Sequence, residues 1–240
     1  MRLLRLTKEL FLTQTFDMAN IFTSSIGKKL IMSISGLFLI VFMCVHAFVN
    51  GLSLISDEAF NAGCEFMALP VISVMVPVLA AGFVIHIIYA FVLNYMNYKA
   101  RGTQRYAVAN KAKTDDWASK NMLVLGFIVL GVLAFHLTHF WAKMQLPMFL
   151  GQEYTHDGAA LLHQTFKPLW VVILYIAWFV ALWLHMNHGF WSAFHTLGLN
   201  NNIWMCRWKA IGIVVSSIIV LVFIAVAIKG YLVANGICCC

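Results

Sequence analysis

Lys28 to Asn50 reads Lys-Lys-Leu-Ile-Met-Ser-Ile-Ser-Gly-Leu-Phe-Leu-Ile-Val-Phe-Met-Cys-Val-His-Ala-Phe-Val-Asn. A basic pair opens the stretch and no acid interrupts it, so as a helix it is long and apolar enough to cross a bilayer. Near its end one ionisable side chain, His46, stands among Phe42, Met43, Cys44, Val45, Ala47, Phe48 and Val49. Three later apolar runs repeat the feature: His86 lies within Gly82–Tyr89, His136 within Val132–Leu137, and His185 within Ala181–Gly189.

Composition extends that reading to the whole chain. Of 240 residues, 62 % are hydrophobic and only 10 % charged, with a mean hydropathy of +0.86; a soluble domain carries about a quarter charged residues. The expected fold class is therefore an all-α integral membrane protein, with no room for a separate soluble catalytic domain. The formal charge of +7 is spread over several loops rather than gathered on one face, which argues for membrane topology and against nucleic acid. Cys44, Cys64, Cys206, Cys238, Cys239 and Cys240 form no C-x-x-C and no C-x-x-C-H, so neither a thiolate metal site nor covalent haem attachment is indicated. The terminal Cys-Cys-Cys is read as incidental rather than lipidated.

Residues 1–27, with Arg2, Arg5, Lys8, Glu9 and Asp17, are too polar to span and carry no cleavable signal; Met18 is an alternative start. Five runs follow, near 29–50, 70–97, 121–143, 168–192 and 208–233, each long enough at roughly 20 residues to cross a membrane. Together they make a 28–233 membrane domain with a 234–240 tail. Pro70 and Pro168 suit a first helical turn, whereas Pro77 should kink the second span unless that helix starts late. The loops alternate in charge. The 51–69 loop holds Asp57, Glu58 and Glu65 without Lys or Arg, the 98–120 loop holds Lys99, Arg101, Arg105, Lys111, Lys113 and Lys120, the 144–167 loop holds Glu153, Asp157 and Lys167, and 193–209 holds Arg207 and Lys209. By the positive-inside rule the N-terminus is cytoplasmic and the C-terminus outside.

Each of the four histidines comes late in its helix. Because alternate helices run in opposite directions, His46 and His136 fall toward the outer side and His86 and His185 toward the inner side. An ionisable group at membrane depth is costly and faces the bundle interior. A neutral histidine bonding across helices is the plain explanation for any one of them; four at paired depths point further. Two imidazoles on facing helices grip one iron from both sides, so two pairs would hold two b-type haems, whose filled axial positions leave electron transfer as the chemistry. Ser33, Ser35, Gly36, Gly82, Gly126, Gly131 and Gly189 offer space for a macrocycle or for close helix approach. His139 and His188, one turn beyond His136 and His185, compete as ligands. His195, Arg207, Lys120 and Lys99 are candidate partners for haem carboxylates, while His156 and His163 lie in the outer loop.

Phe42-x-x-x-His46-x-x-x-Asn50, Ala59-Phe60-Asn61 with Leu69-Pro70 behind it, His86-x-x-Tyr89, and His185-x-x-x-Gly189-x-Trp191-Ser192 occur in that order. In this the chain, over about 20–233, resembles the cytochrome b subunit of the five-helix, two-haem class of succinate dehydrogenases and fumarate reductases. The resemblance implies a bundle of five transmembrane helices binding two haem b, His46 and His136 ligating the outer one and His86 and His185 the inner. His136 is favoured over His139 because the family's ligand lies ten residues after the glycine matched by Gly126. It further implies a flavoprotein subunit with FAD, which holds the dicarboxylate site, and an iron-sulfur subunit on the cytoplasmic face. Electrons would pass from or to a membrane quinone, expected to be menaquinone, in the cytoplasmic membrane of a bacterium, with the whole complex able to form a dimer.

Two departures accompany the resemblance. Some relatives place a proton-conducting glutamate two residues before the fourth-helix ligand; here that residue is Trp183, which would leave electron movement coupled to the membrane potential at about 2.3 kcal/mol per charge per 100 mV. Relatives also use an acidic residue at the quinol site; Glu65 is the candidate, against a plain surface carboxylate, with Asn50, His139 and His163 as possible helpers. Two rivals remain: a cytochrome b anchor of a hydrogenase or formate dehydrogenase, and a cation or proton transporter. The second would need intramembrane carboxylates, and all nine acidic residues lie outside the predicted spans.

Overall fold

The structure, a computed structural model, describes residues 24–101, 117–153 and 157–237. Arg2, Arg5, Lys8, Glu9, Asp17 and Met18, the loop residues Arg105, Lys111 and Lys113, His156 and the Cys238–Cys240 tail lie outside the described residues.

Every regular element among the described residues is helical: α1 (Ser25–Gly51), α2 (Asp57–Ala68), α3 (Pro70–Ser73), α4 (Met75–Arg101), α5 (Trp117–Lys120), α6 (Met122–His136), α7 (Ala142–Phe149), α8 (Gly158–Phe166), α9 (Leu169–Thr196) and α10 (Asn202–Ala234). A short 3-10 turn, Leu52–Leu54, follows α1, and a π-turn, Leu137–Trp141, joins α6 to α7. Five stretches are long and apolar enough to cross a membrane: Ser25–Leu54, Pro70–Ala100, Met122–Phe149, Leu169–Thr196 and Asn202–Ala234. Their outward faces carry large apolar side chains, such as Val41, Phe48, Val71 and Ile218, as a lipid-facing surface requires.

The ends of the spans follow local chemistry. Ser24 caps α1 by accepting from Gly27 N at 3.0 Å. Asn201 caps α10 by accepting from Trp204 N at 2.8 Å, which starts the fifth span at Asn202 rather than near 208. Pro77 produces a late start instead of a mid-span kink. The chain is broken at Val74 and α4 begins at Met75, so the amide that Pro77 lacks falls in the first turn, where no intrahelical partner is needed.

Side-chain contacts show that neighbouring spans run in opposite directions. Lys28 approaches Met96 while Phe42 meets Phe83 along α1 and α4, and Trp183 meets Ser217 while Phe179 stacks on Phe223 along α9 and α10. The central helix is α9, which packs on α1, α6, α8 and α10 and buries Val172, Tyr175, Phe179, Leu182 and Met186. α4 packs mainly on α1, where a Cβ on Gly82 would meet the Phe38 ring at 2.6 Å; the missing side chain lets these two helices approach. Acidic side chains gather at the Gly51 end (Asp57, Glu58, Glu65, Glu153, Asp157). The Ser25 end carries Lys28, Lys29, Lys99, Lys120, Arg207 and Lys209.

Candidate functional site

The structure brings the four span histidines together two by two. The rings of His46 on α1 and His136 on α6 have centroids 5.9 Å apart, and those of His86 on α4 and His185 on α9 are 6.2 Å apart. These are the pairs that the depth argument sorts. A ring nitrogen lies about 1.2 Å from the imidazole centroid and a metal–imidazole bond is about 2 Å long, so two rings gripping one ion from opposite sides have centroids about 6.3 Å apart. Both separations suit a shared ion. Among the described residues no group of three or more His, Cys, Asp or Glu is placed to hold a metal, so an iron held by either pair would take its other four donors from a macrocycle.

Backbone packing leaves room between the partners. Among the described residues neither α1 with α6 nor α4 with α9 packs extensively, although each is packed on other helices. The imidazoles thus meet across interhelical gaps. The level of the His86–His185 pair is marked on α1 by Gly36 and on α6 by Gly126, whose added Cβ atoms would meet His86 Cε1 at 3.4 Å and His185 Cε1 at 3.8 Å. His46 and His136 each lie ten residues further on, so the two pairs are separated by about 15 Å at 1.5 Å per residue.

Each pair joins one imidazole that has a polar neighbour on α1 with one that has none at Nδ1. Ser35 Oγ lies 3.3 Å from His86 Nδ1, and Asn50 Nδ2 lies 3.4 Å from His46 Nε2 while donating to His46 O at 2.8 Å. Nδ1 of His136 and of His185 is buried with no hydrogen-bond partner. A buried polar atom left in this state is costly in hydrocarbon. Two imidazole pairs and the interhelical gaps they span fit a bis-histidine porphyrin.

The competing histidines stand apart from the two pairs. Nδ1 of His139 lies 3.0 Å from Phe135 O, and its ring packs edge-on to Phe135 at 4.1 Å. The π-turn begins immediately after His136, which separates the two histidines in local geometry. His188 packs edge-on to Trp191 at 4.7 Å. His195, Lys99 and Lys120 are exposed at the Ser25 end; there Arg207 sits 5.1 Å over Trp204 and Lys209 4.7 Å over Trp191, as cations and indoles do at a membrane interface.

At the Gly51 end, α2 and α8 form a polar layer. Asn61 donates to Asp157 Oδ1 at 3.0 Å and accepts from Ala159 N at 2.9 Å, while Phe60 beside it enters the core. Asp157 also caps α8 by accepting from Ala160 N at 2.9 Å. That backbone bond, then the Asn61 amide, holds its carboxyl below the ordinary value. Nearby burial, with Asp157 and Glu65 adding to it, pushes the Cys64 thiol up to about 11. His163 Nε2 lies 3.5 Å from Asp57 Oδ1. Glu65 is exposed on α2.

Sequence reasoning passed over two features. Lys229, in the last apolar run, donates to Ser53 O at 2.7 Å, at the carbonyl end of α1; a lysine near the far end of that run, twenty residues beyond Lys209, was the available signal. The His136 ring is walled by Phe140, Tyr175 and Trp178 at 5.1, 6.2 and 5.9 Å, and Tyr175 Oη and Trp178 Nε1 are buried without hydrogen-bond partners. Aromatics in an apolar run carry no signal of which face they occupy. Trp183, the residue in the glutamate position, donates to Ser217 Oγ at 3.0 Å and so ties α9 to α10. No family model, curated protein or solved structure matches this chain.

Proposed function

We propose that the chain is the membrane-anchor cytochrome b subunit of a succinate:quinone oxidoreductase of the five-helix, two-haem class. The observation that carries this reading is the two pairs of imidazoles, each with its ring centroids near the spacing of a shared iron and the pairs about 15 Å apart along the bundle. His46 and His136 would hold one haem b, and His86 and His185 the other. A haem gripped on both faces has no open position for substrate and carries one electron at a time. The chain's own part is to hold the two groups at different depths and to keep water out with aromatic and aliphatic side chains.

In this reading the basic Ser25 end faces the cytoplasm of a bacterium and receives the iron-sulfur subunit, which a flavoprotein with FAD accompanies. The acidic Gly51 end lies outside, near the quinone site, with menaquinone as the expected quinone and Glu65 as its candidate base. The exposure of Glu65 means that a quinone reaching it would do so from the layer formed by α2 rather than from within the bundle.

Purified protein should give a pyridine haemochrome equivalent to two haems per chain, and should copurify with a flavoprotein. Absence of haem, or one haem only, overturns the proposal. A nickel or molybdenum partner would favour the anchor of a hydrogenase or formate dehydrogenase instead. His86→Ala should leave the protein inserted and remove one haem.

A further inference from the structure

The contact between α1 and His86 is more specific than packing requires. Ser35 is buried, and its hydroxyl donates to Met32 O at 3.0 Å. With its proton so placed, Ser35 Oγ meets His86 Nδ1 at 3.3 Å as an acceptor, which puts the ring proton on Nδ1 and leaves Nε2 bare. The next residue is Gly36, and a Cβ there would stand 3.4 Å from His86 Cε1 and 3.7 Å from Nδ1. A hydroxyl and a missing side chain, adjacent in sequence, therefore seat one edge of the same imidazole. None of the other three histidines has such a seat: the polar contact of His46 is at Nε2, and Nδ1 of His136 and His185 has no hydrogen-bond partner.

We infer that Ser35 is a positioning residue that fixes the tautomer of His86 and strengthens its Nε2 as a donor to iron. The inference rests on the haem-binding reading above. A hydrogen bond from Nδ1–H to an acceptor raises electron density at the opposite nitrogen, and a stronger axial donor favours the ferric over the ferrous state. Ser35 should thus lower the reduction potential of the haem held by His86 and His185 while leaving the other unchanged.

The test is a redox titration of the purified complex carrying Ser35→Ala, Ser35→Thr or Gly36→Ala, with haem content measured on the same samples. To identify the titrating group, the variants are also made in a His46→Ala background, which keeps only the His86–His185 haem. Ser35→Ala should ease reduction of that haem three- to tenfold, 59 mV being tenfold for a one-electron couple. Ser35→Thr, which keeps a hydroxyl, should restore the parent value. Gly36→Ala, whose Cβ would meet the ring at an ordinary contact distance of 3.4 Å without removing the acceptor, should keep the parent potential and occupancy. Two bound haems with neither potential moved by Ser35→Ala, or both moved equally, would overturn the inference. Should Ser35→Ala fail to fold, an unshifted potential on weakening the acceptor by Ser35→Cys would overturn it equally. Absence of haem from the unsubstituted protein would instead sink the reading beneath it.

Discussion

The two imidazole pairs have nearly equal ring separations, 5.9 and 6.2 Å, yet they are held by opposite means. Around His46 and His136 the neighbours are large rings: Phe42 and Phe223 on one imidazole, Phe140, Tyr175 and Trp178 on the other. Around His86 and His185 the neighbours are small: Ser35 and Gly36 on α1, Gly126 on α6. One pair is positioned by bulk that leaves its rings few places to go. The other is positioned by the absence of bulk and by one hydrogen bond. The same spacing can thus be reached by filling or by clearing, and each solution should fail under a different kind of substitution.

The largest effect comes from removing the imidazoles themselves. If each pair holds a haem, as proposed, His46→Ala and His136→Ala should each abolish the same one, and His86→Ala and His185→Ala should each abolish the other, halving the haemochrome in every case. Combining two substitutions within a pair should cost no more haem than one, whereas combining across pairs should remove both. His139→Ala should keep two haems, because it is the His136 ring that meets His46. Loss of a haem in that variant would move the ligand off His136 and undo the pairing on which the comparison stands.

Substitutions of opposite size separate the two walls. Trp178→Ala removes a 7 % exposed ring beside His136 and should destabilise the protein by about 3 kcal/mol, as large aromatic truncations do, while loosening the His46–His136 haem first. Gly126→Leu, which adds volume facing His185, should instead displace the other haem. Thermal unfolding in detergent and the haem spectra read these effects separately. If Trp178→Ala perturbed both haems alike, bulk would not be what distinguishes the pairs.

Much of this was legible in the sequence because membrane spans are written by composition, and because a histidine in an apolar run is conspicuous. Five spans and the two pairs of depths follow from run length and from the position of each histidine alone. The walls were not legible. Tyr175 and Trp178 stand in a run so uniformly apolar that no periodic face betrays their direction, and whether Gly36 and Gly126 admit a ring or only a helix depends on interhelical geometry. The choice between His136 and His139 was also beyond helical periodicity, since the π-turn at Leu137–Trp141 changes the register that periodicity assumes.

A smaller effect tests whether the pairs share a common support. Trp183 lies two residues before His185, and its indole donates to Ser217 Oγ at 3.0 Å. Trp183→Phe and Ser217→Ala should each cost about 0.6–1.7 kcal/mol, the range for interhelical hydrogen bonds in membranes, and the double variant should cost little more than either. Both haems should stay bound. Should Trp183→Phe shed only the His86–His185 haem, the indole would belong to that pair's wall rather than to the joint between α9 and α10.

The smallest expected effect lies at the Gly51 end, whose polar layer stands over the aromatic-walled pair. Asp157 receives bonds from Ala160 N and Asn61, and these hold its carboxyl below the ordinary value of 3.8. Because the folded value is depressed, the stabilisation is fully present above about pH 3.8 and is lost as the pH falls below it through the folded value. The group is exposed, so solvent screening keeps the gain small. Protection of the Ala159 and Ala160 amides against hydrogen exchange, corrected for the intrinsic rate, should be constant above about pH 3.8 and fall as the pH drops below it. Asp157→Asn, which caps helices nearly as well without titrating, should flatten the profile. Because α8 packs on α10 rather than on the His86–His185 gap, any accompanying change in haem spectrum should be confined to the His46–His136 pair. A change in the other haem would show that the two regions are coupled along α10, and that their different walls do not make them independent.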